Sequence, residues 1–90
     1  MSKVVLMDFA AGWCGPCKMQ DPIIEELEEK FKGQVEFKKI DVDTNMDISS
    51  KYGVHAVPTL VLEKDGKVFK KYVGVTRATV LEADLKAALE

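Results

Sequence analysis

Two cysteines, Cys14 and Cys17, stand three positions apart and are the residues of this sequence best suited to chemistry. A thiolate at either position could attack a disulfide, and two thiols at this spacing can close a disulfide with each other. The closed loop would hold about four residues, so on the chain-entropy model it would stabilise the fold by only roughly 2 kcal/mol. A disulfide between these cysteines would therefore stabilise the fold only weakly, and the spacing of the pair indicates redox chemistry or metal binding.

The metal alternative depends on how many further ligands the chain can supply. A closed zinc site needs four ligands, and His55 is the one histidine that could join the two cysteines. Two chains could still share a metal ion or an iron–sulfur cluster through two such pairs, and the spacing leaves that open. No glycine-rich turn typical of a flavin or nicotinamide site follows a strand. We therefore predict redox chemistry with no cofactor and no metal, and keep a metal carrier as an alternative.

A buried strand and an amphipathic helix are predicted on either side of the cysteines. The run from Val4 to Phe9 is apolar and rich in β-branched and aromatic residues, as in a strand covered on both faces, and Asp8 is its anomaly. Apolar residues then recur at helical spacing over 16–31. Cys14 thus falls at a helix N-terminus, where free N–H groups and the helix dipole favour a thiolate. We predict that Cys14 is the nucleophile and that Cys17 resolves the mixed disulfide.

Gly15 and Pro16, between the two cysteines, supply a tight turn and a preset φ.

The rest of the chain completes the fold prediction. A helix over 45–52 is expected to bury Ile48 and Tyr52. The other predicted elements are a strand at 35–42, two strands at 60–62 and 68–73 around an Asp-Gly turn, and a last helix starting at Thr76 or Thr79. The order βαβαββα predicts an α/β fold, a four-stranded mixed sheet with helices on both faces, in a single domain over 1–90.

The charge pattern excludes several classes of partner. Thirteen Lys and Arg and fifteen Asp and Glu are scattered along the chain, so there is no basic stripe for nucleic acid. The apolar stretch over 4–7 is broken by Asp8 and is too short for a membrane span or a signal-peptide core. We expect a cytoplasmic protein with no nucleic-acid partner and no membrane partner.

The run Trp13-Cys14-Gly15-Pro16-Cys17-Lys18 resembles the active-site signature of the thioredoxin family, and the similarity spans about residues 3 to 89. The resemblance implies that Asp8 is the buried carboxylate that moves protons to and from the resolving cysteine, accompanied by Lys39. It also implies a cis-proline at Pro58 facing the disulfide. Trp13, Gly15, Pro16, Val57, Pro58 and Gly74 are then the expected substrate-binding residues.

This resemblance implies a dithiol protein that reduces disulfides of target proteins and is itself reduced again by a separate thioredoxin reductase. It also implies a monomer. The Gly-Pro pair between the cysteines is similar to that of reducing thioredoxins. Alternatives are a glutathione-dependent glutaredoxin, a disulfide oxidant, or a non-catalytic binding module that uses the face of Trp13, Val57 and Gly74.

Three departures from the family pattern are visible. Val4 corresponds to the second strand of ordinary thioredoxins, so we expect the short, glutaredoxin-sized form without the first strand and helix. Ala10 stands where many members have a second tryptophan, and His55 stands near the expected cis-proline. Either substitution could alter the choice of partner.

Overall fold

The computed structural model describes residues 3–90 and contains one four-stranded sheet with three helices. The elements are β1 (Val4–Ala10), α1 (Gly15–Lys30), β2 (Val35–Asp41), α2 (Met46–Lys51), β3 (Thr59–Lys64), β4 (Lys67–Val73) and α3 (Ala78–Leu89). The strand order is β2-β1-β3-β4, with β1 parallel to β2 and the other pairs antiparallel. The predicted order βαβαββα and the mixed sheet are confirmed.

The central strand β1 is buried along its whole length because helices cover both faces of the sheet. Val4 and Leu6 belong to a core cluster that includes Leu81 and Leu85 of α3, and Leu27 of α1 joins the same cluster. Alternate residues of β1 pack in a second cluster on the opposite face, beside the end of α2. Asp8 follows Leu6 by two positions, so it points to the face that α1 covers.

The edge strand β4 is exposed and irregular. Leu62 of β3 pairs with Lys70, whereas the next residue of β3 pairs with Val68, so the register shifts at this point. One residue of β4, Phe69, is therefore extra, which defines a β-bulge. The bulge and the lysines both disfavour pairing of this edge with another strand.

Two helix predictions need correction. Ile48 is 40% exposed rather than buried, and the inward position of α2 is held by Ser49, whose hydroxyl donates to the carbonyl of Asn45. The last helix starts at Ala78 rather than at Thr76 or Thr79. Thr76 cannot join it because both of its backbone polar groups are bonded to a side chain of α1, described below.

Candidate active site

The two cysteines form a disulfide at the N-terminus of α1. Cys14 is the N-cap residue, and its Sγ accepts a hydrogen bond of 3.1 Å from the backbone N–H of Cys17. Their Cα atoms are 5.3 Å apart, and both residues are buried. In the reduced state the same N–H and the helix dipole would stabilise negative charge on the Cys14 sulfur.

The residues around the disulfide on the outer side are exposed. Gly15 and Pro16 form the first turn of α1, where the missing N–H of proline leaves no hydrogen bond unmade. Trp13 is 72% exposed, and its indole Nε1 donates to the Asp43 carboxylate at 2.9 Å. The hydrogen bond to Asp43 fixes an aromatic surface next to Cys14, with most of its area open to contact.

A second chain segment meets the cysteines from the other side. Val57 packs against the cluster that contains both cysteines, and the peptide bond between Val57 and Pro58 is cis, as the resemblance implied. The carbonyl of Pro58 accepts a hydrogen bond of 2.8 Å from the N–H of Gly74. Gly74 has a φ of +90°, a conformation that favours glycine. The disulfide, the proline segment and the residue after β4 are thus brought together.

Asp8 lies below this surface with 3% of its area exposed. Its Oδ1 atom is buried and has no hydrogen-bond partner among residues 3–90. Burial raises the pKa of Asp8 to about 6, while the charge of Lys39 opposes the rise and that of Asp21 adds to it. A carboxyl group with this pKa can exchange protons near neutral pH.

Lys39 stands opposite Asp8 in the register of β1 and β2, but its ammonium group binds elsewhere. The Nζ atom lies 2.9 Å from Oδ1 of Asp21 on α1, and this hydrogen bond raises the pKa of Lys39. Lys39 and Asp21 line a cleft of about 390 Å³ that reaches Cys17, and they also line a smaller cleft that reaches Asp8. The ion pair therefore lines both the cleft at Cys17 and the cleft at Asp8.

Gln20 is a residue of the site that the sequence interpretation missed. It is fully buried on α1, its Nε2 donates to the carbonyl of Thr76 at 3.0 Å, and its Oε1 accepts from the N–H of Thr76 at 2.7 Å. The available signal was its position on the inward stripe of the helix, three residues after Cys17 and seven before Leu27. A polar residue on that stripe needs partners when it is buried.

The remaining features of the described chain bear on the alternatives. His55 is exposed, and within residues 3–90 no three His, Cys, Asp or Glu side chains converge as metal ligands. None of the helices described is both long and apolar enough to cross a membrane.

Comparisons with known proteins agree with this geometry. The family model Thioredoxin matches residues 1–87. The thioredoxin of Bacillus subtilis strain 168 is 51% identical over 71 residues, which cover 79% of this chain and 68% of that protein. The thioredoxin of Alicyclobacillus acidocaldarius is 41% identical over 88 residues, covering 98% and 84%.

Solved structures show the same relationship in three dimensions. A mutant thioredoxin from Halobacterium salinarum superposes with a TM-score of 0.90 at 43% identity, covering 98% of this chain and 76% of that one. Oxidised mitochondrial thioredoxin 3 from Saccharomyces cerevisiae gives 0.86 at 41% identity, covering 94% and 78%. Sequence and fold thus agree over nearly the whole chain, which belongs to the thioredoxin family and is a thiol–disulfide oxidoreductase.

Proposed function

We propose that the chain reduces disulfides of target proteins with Cys14 as the attacking thiolate and Cys17 as the resolving thiol. The Cys14 sulfur attacks one sulfur of the substrate disulfide, which forms a mixed disulfide and releases the other substrate sulfur as a thiolate. Cys17 then attacks the Cys14 sulfur, so that the Cys14–Cys17 disulfide forms and the second substrate sulfur leaves. Two electrons pass from the dithiol to the substrate.

The observation that carries these roles is the position of Cys14 at the N-cap of α1. Its sulfur accepts the N–H of Cys17, and a helix N-terminus favours a thiolate over a thiol. Cys17 lies inside the first turn, so its sulfur is within bonding reach of Cys14 without movement of the backbone. Cys14 also directly follows the exposed Trp13 in sequence, which supports its sulfur as the one that meets the substrate.

Asp8 is the proposed proton acceptor for Cys17. Its burial, its unpartnered Oδ1 and its raised pKa support this role, because a base works best when its pKa is near the working pH. Lys39 is proposed to assist by placing positive charge next to the carboxylate when Asp8 is ionised. The ion pair of Lys39 with Asp21 makes this assistance electrostatic rather than a direct hydrogen bond.

The proposed substrate-binding surface consists of Trp13, Gly15, Pro16, Val57, Pro58 and Gly74. An extended segment of the target protein would lie across it, with backbone hydrogen bonds to the Val57 segment in the manner of strand addition. The exposure of Trp13 and the packing of Val57 against the cysteines support this arrangement.

A separate reductase is proposed to restore the dithiol, with no cofactor bound by this chain. We also propose that residues 1–90 act as a single domain, as a monomer, in the cytoplasm.

Trapping of the mixed disulfide tests the roles of the two cysteines. A Cys17→Ser variant, reduced and mixed with a disulfide-bonded protein such as insulin, should accumulate a covalent adduct because the resolving thiol is missing. The matched Cys14→Ser variant should accumulate far less. Equal trapping by both variants, or none by Cys17→Ser, would contradict the assignment.

The redox midpoint separates a reductant from an oxidant. The fluorescence of Trp13, the single tryptophan, can be followed in defined thiol buffers. A midpoint near about −270 mV is expected, whereas about −180 mV or higher would indicate an isomerase or an oxidant.

A further inference from the structure

We propose that Gln20 is a positioning residue for substrate binding, which holds the loop over 74–77 in the conformation that docks a target protein. The inference rests on the proposed function, because this loop contains Gly74 of the proposed substrate-binding surface. Gln20 itself is buried beneath that surface and acts through the backbone of Thr76.

The side-chain amide of Gln20 pairs with the backbone of Thr76 through two hydrogen bonds, as a peptide group of a neighbouring strand would. The side-chain amide donates to the carbonyl of Thr76 and accepts from its N–H, at 3.0 Å and 2.7 Å. Gln20 has no exposed area, so water does not compete for these groups. Both polar atoms of the amide are satisfied by one residue that is 56 positions away in sequence.

The loop has little else to hold it in place. Val75, in the middle of the loop, is 42% exposed, so its side chain is not anchored in the core. The N–H of Gly74 binds the carbonyl of Pro58, and the Thr76 hydroxyl binds back to the loop itself at Gly74. The Gln20 amide is therefore the link that ties the second half of the loop to the helix.

The helix that carries Gln20 also contains Cys17 and has Cys14 as its N-cap residue. Gln20 lies one turn after Cys17, and the loop is bonded at Gly74 to the proline segment that packs on the disulfide. The amide thus fixes the spacing between the disulfide and the loop. Without it, the N–H and carbonyl of Thr76 would be left unpaired in a partly buried place, and the loop would move toward water to satisfy them.

A Gln20→Met variant tests the proposal, because methionine keeps the length and approximate volume of the side chain and lacks the two polar atoms. With dithiothreitol as electron donor, KM for insulin is expected to rise by about three- to tenfold, a change about as large as the net effect of one of the two hydrogen bonds that are lost. The kcat, the reaction with the small disulfide cystine and the redox midpoint are expected to stay unchanged. Faster hydrogen exchange at the Thr76 amide should accompany the rise in KM.

Gln34→Met is the matched control, because Gln34 is an exposed glutamine in the turn after α1. If Gln20→Met does not fold, Gln20→Asn replaces it, since its amide is one methylene short of Thr76 and should raise KM in the same way. A KM for insulin within twofold of wild type, despite faster exchange at Thr76, would overturn the inference. So would a changed midpoint or an equal loss with cystine, because the disulfide itself would then be disturbed.

These outcomes distinguish failure of the Gln20 inference from failure of the proposed function on which it rests. A wild-type chain that does not reduce insulin would overturn the proposed function and the inference together. An active wild type with an unaffected Gln20→Met variant would overturn the inference alone.

Discussion

Replacement of Asp8 by asparagine is expected to stabilise the oxidised chain at about pH 8 and to change its stability little at about pH 4. The carboxylate is buried in the sheet under α1, and its Oδ1 has no partner among the described residues. Asparagine has nearly the same shape and carries no charge at any pH, so it removes the cost of burying an ion.

The magnitude follows from the pKa of Asp8. Burial raises this pKa from 3.8 to about 6. A difference of about 2.2 pH units between the folded and unfolded chains, at about 1.4 kcal/mol per unit, amounts to about 3 kcal/mol. The folded chain holds the proton more tightly, so stability is fully present below the unfolded pKa and is lost as the pH rises through the folded pKa. Above about pH 7 the loss is complete, and the asparagine variant avoids it.

Urea unfolding of the oxidised chain across this pH range measures the effect. The free energy of unfolding of wild type should fall by about 2.5 kcal/mol between about pH 4 and about pH 8 relative to Asp8→Asn, because about 0.5 kcal/mol of the total is already lost at pH 4. Asp47→Asn serves as the control, because Asp47 is exposed on the first turn of α2. A difference between wild type and Asp8→Asn that is the same at every pH, or absent at high pH, would refute the reasoning.

Two further substitutions test neighbouring contacts. Lys39→Met is expected to move the titration midpoint of the Asp8 carboxyl, followed by NMR, to a higher pH, because the charge of Lys39 lowers the pKa of Asp8; an unchanged or lower midpoint would count against that coupling. Gly74→Ala is expected to lower the free energy of unfolding by about 1 kcal/mol in urea, because residues other than glycine are strained at a φ of +90°. Gly12→Ala is the control, since both sites have open space for a Cβ, and equal effects of the two would contradict the backbone argument.

The parts of the site that depend on local sequence could be predicted from it. The position of Cys14 at a helix N-terminus follows from a strand pattern that ends before it and a helical pattern that begins after it. The burial of Asp8 follows from the apolar run in which it lies. The mixed sheet follows because a parallel first unit and an antiparallel hairpin leave few topologies open.

The parts that depend on distant contacts could not be predicted. Gln20 and Thr76 meet only because α1 and the loop after β4 pack together, and no local pattern encodes that contact. The expected burial of Ile48 was wrong because α2 has only six residues, too few to define one apolar face. Tyr52, the residue that follows α2, does pack against the core, where its ring centroid lies 5.9 Å from that of Phe9.

The pairing of Lys39 shows how similar charges compete for one cation. Register alone sets Lys39 beside Asp8, yet its ammonium group binds Asp21. Asp21 is only partly buried, so an ion pair there keeps contact with water, whereas a pair at Asp8 would require Lys39 to lose its hydration as well. The cation therefore stays at the surface and acts on Asp8 through the field alone, which leaves the pKa of Asp8 raised.

Asp8 destabilises the core when it is ionised, and this cost has a function if the carboxylate accepts a proton from Cys17 during the reaction. At its ordinary pKa, Asp8 would be ionised at neutral pH and a weak base, whereas a pKa of about 6 makes it a better acceptor from Cys17. The same burial destabilises the ionised chain and raises the pKa of Asp8. Replacing Asp8 should therefore raise the stability of the chain and lower the rate of the step in which Asp8 accepts a proton. Asp8→Asn is therefore expected to gain stability and to slow resolution of the mixed disulfide. A variant that gained stability and resolved the mixed disulfide at the wild-type rate would show that Asp8 is not the proton acceptor.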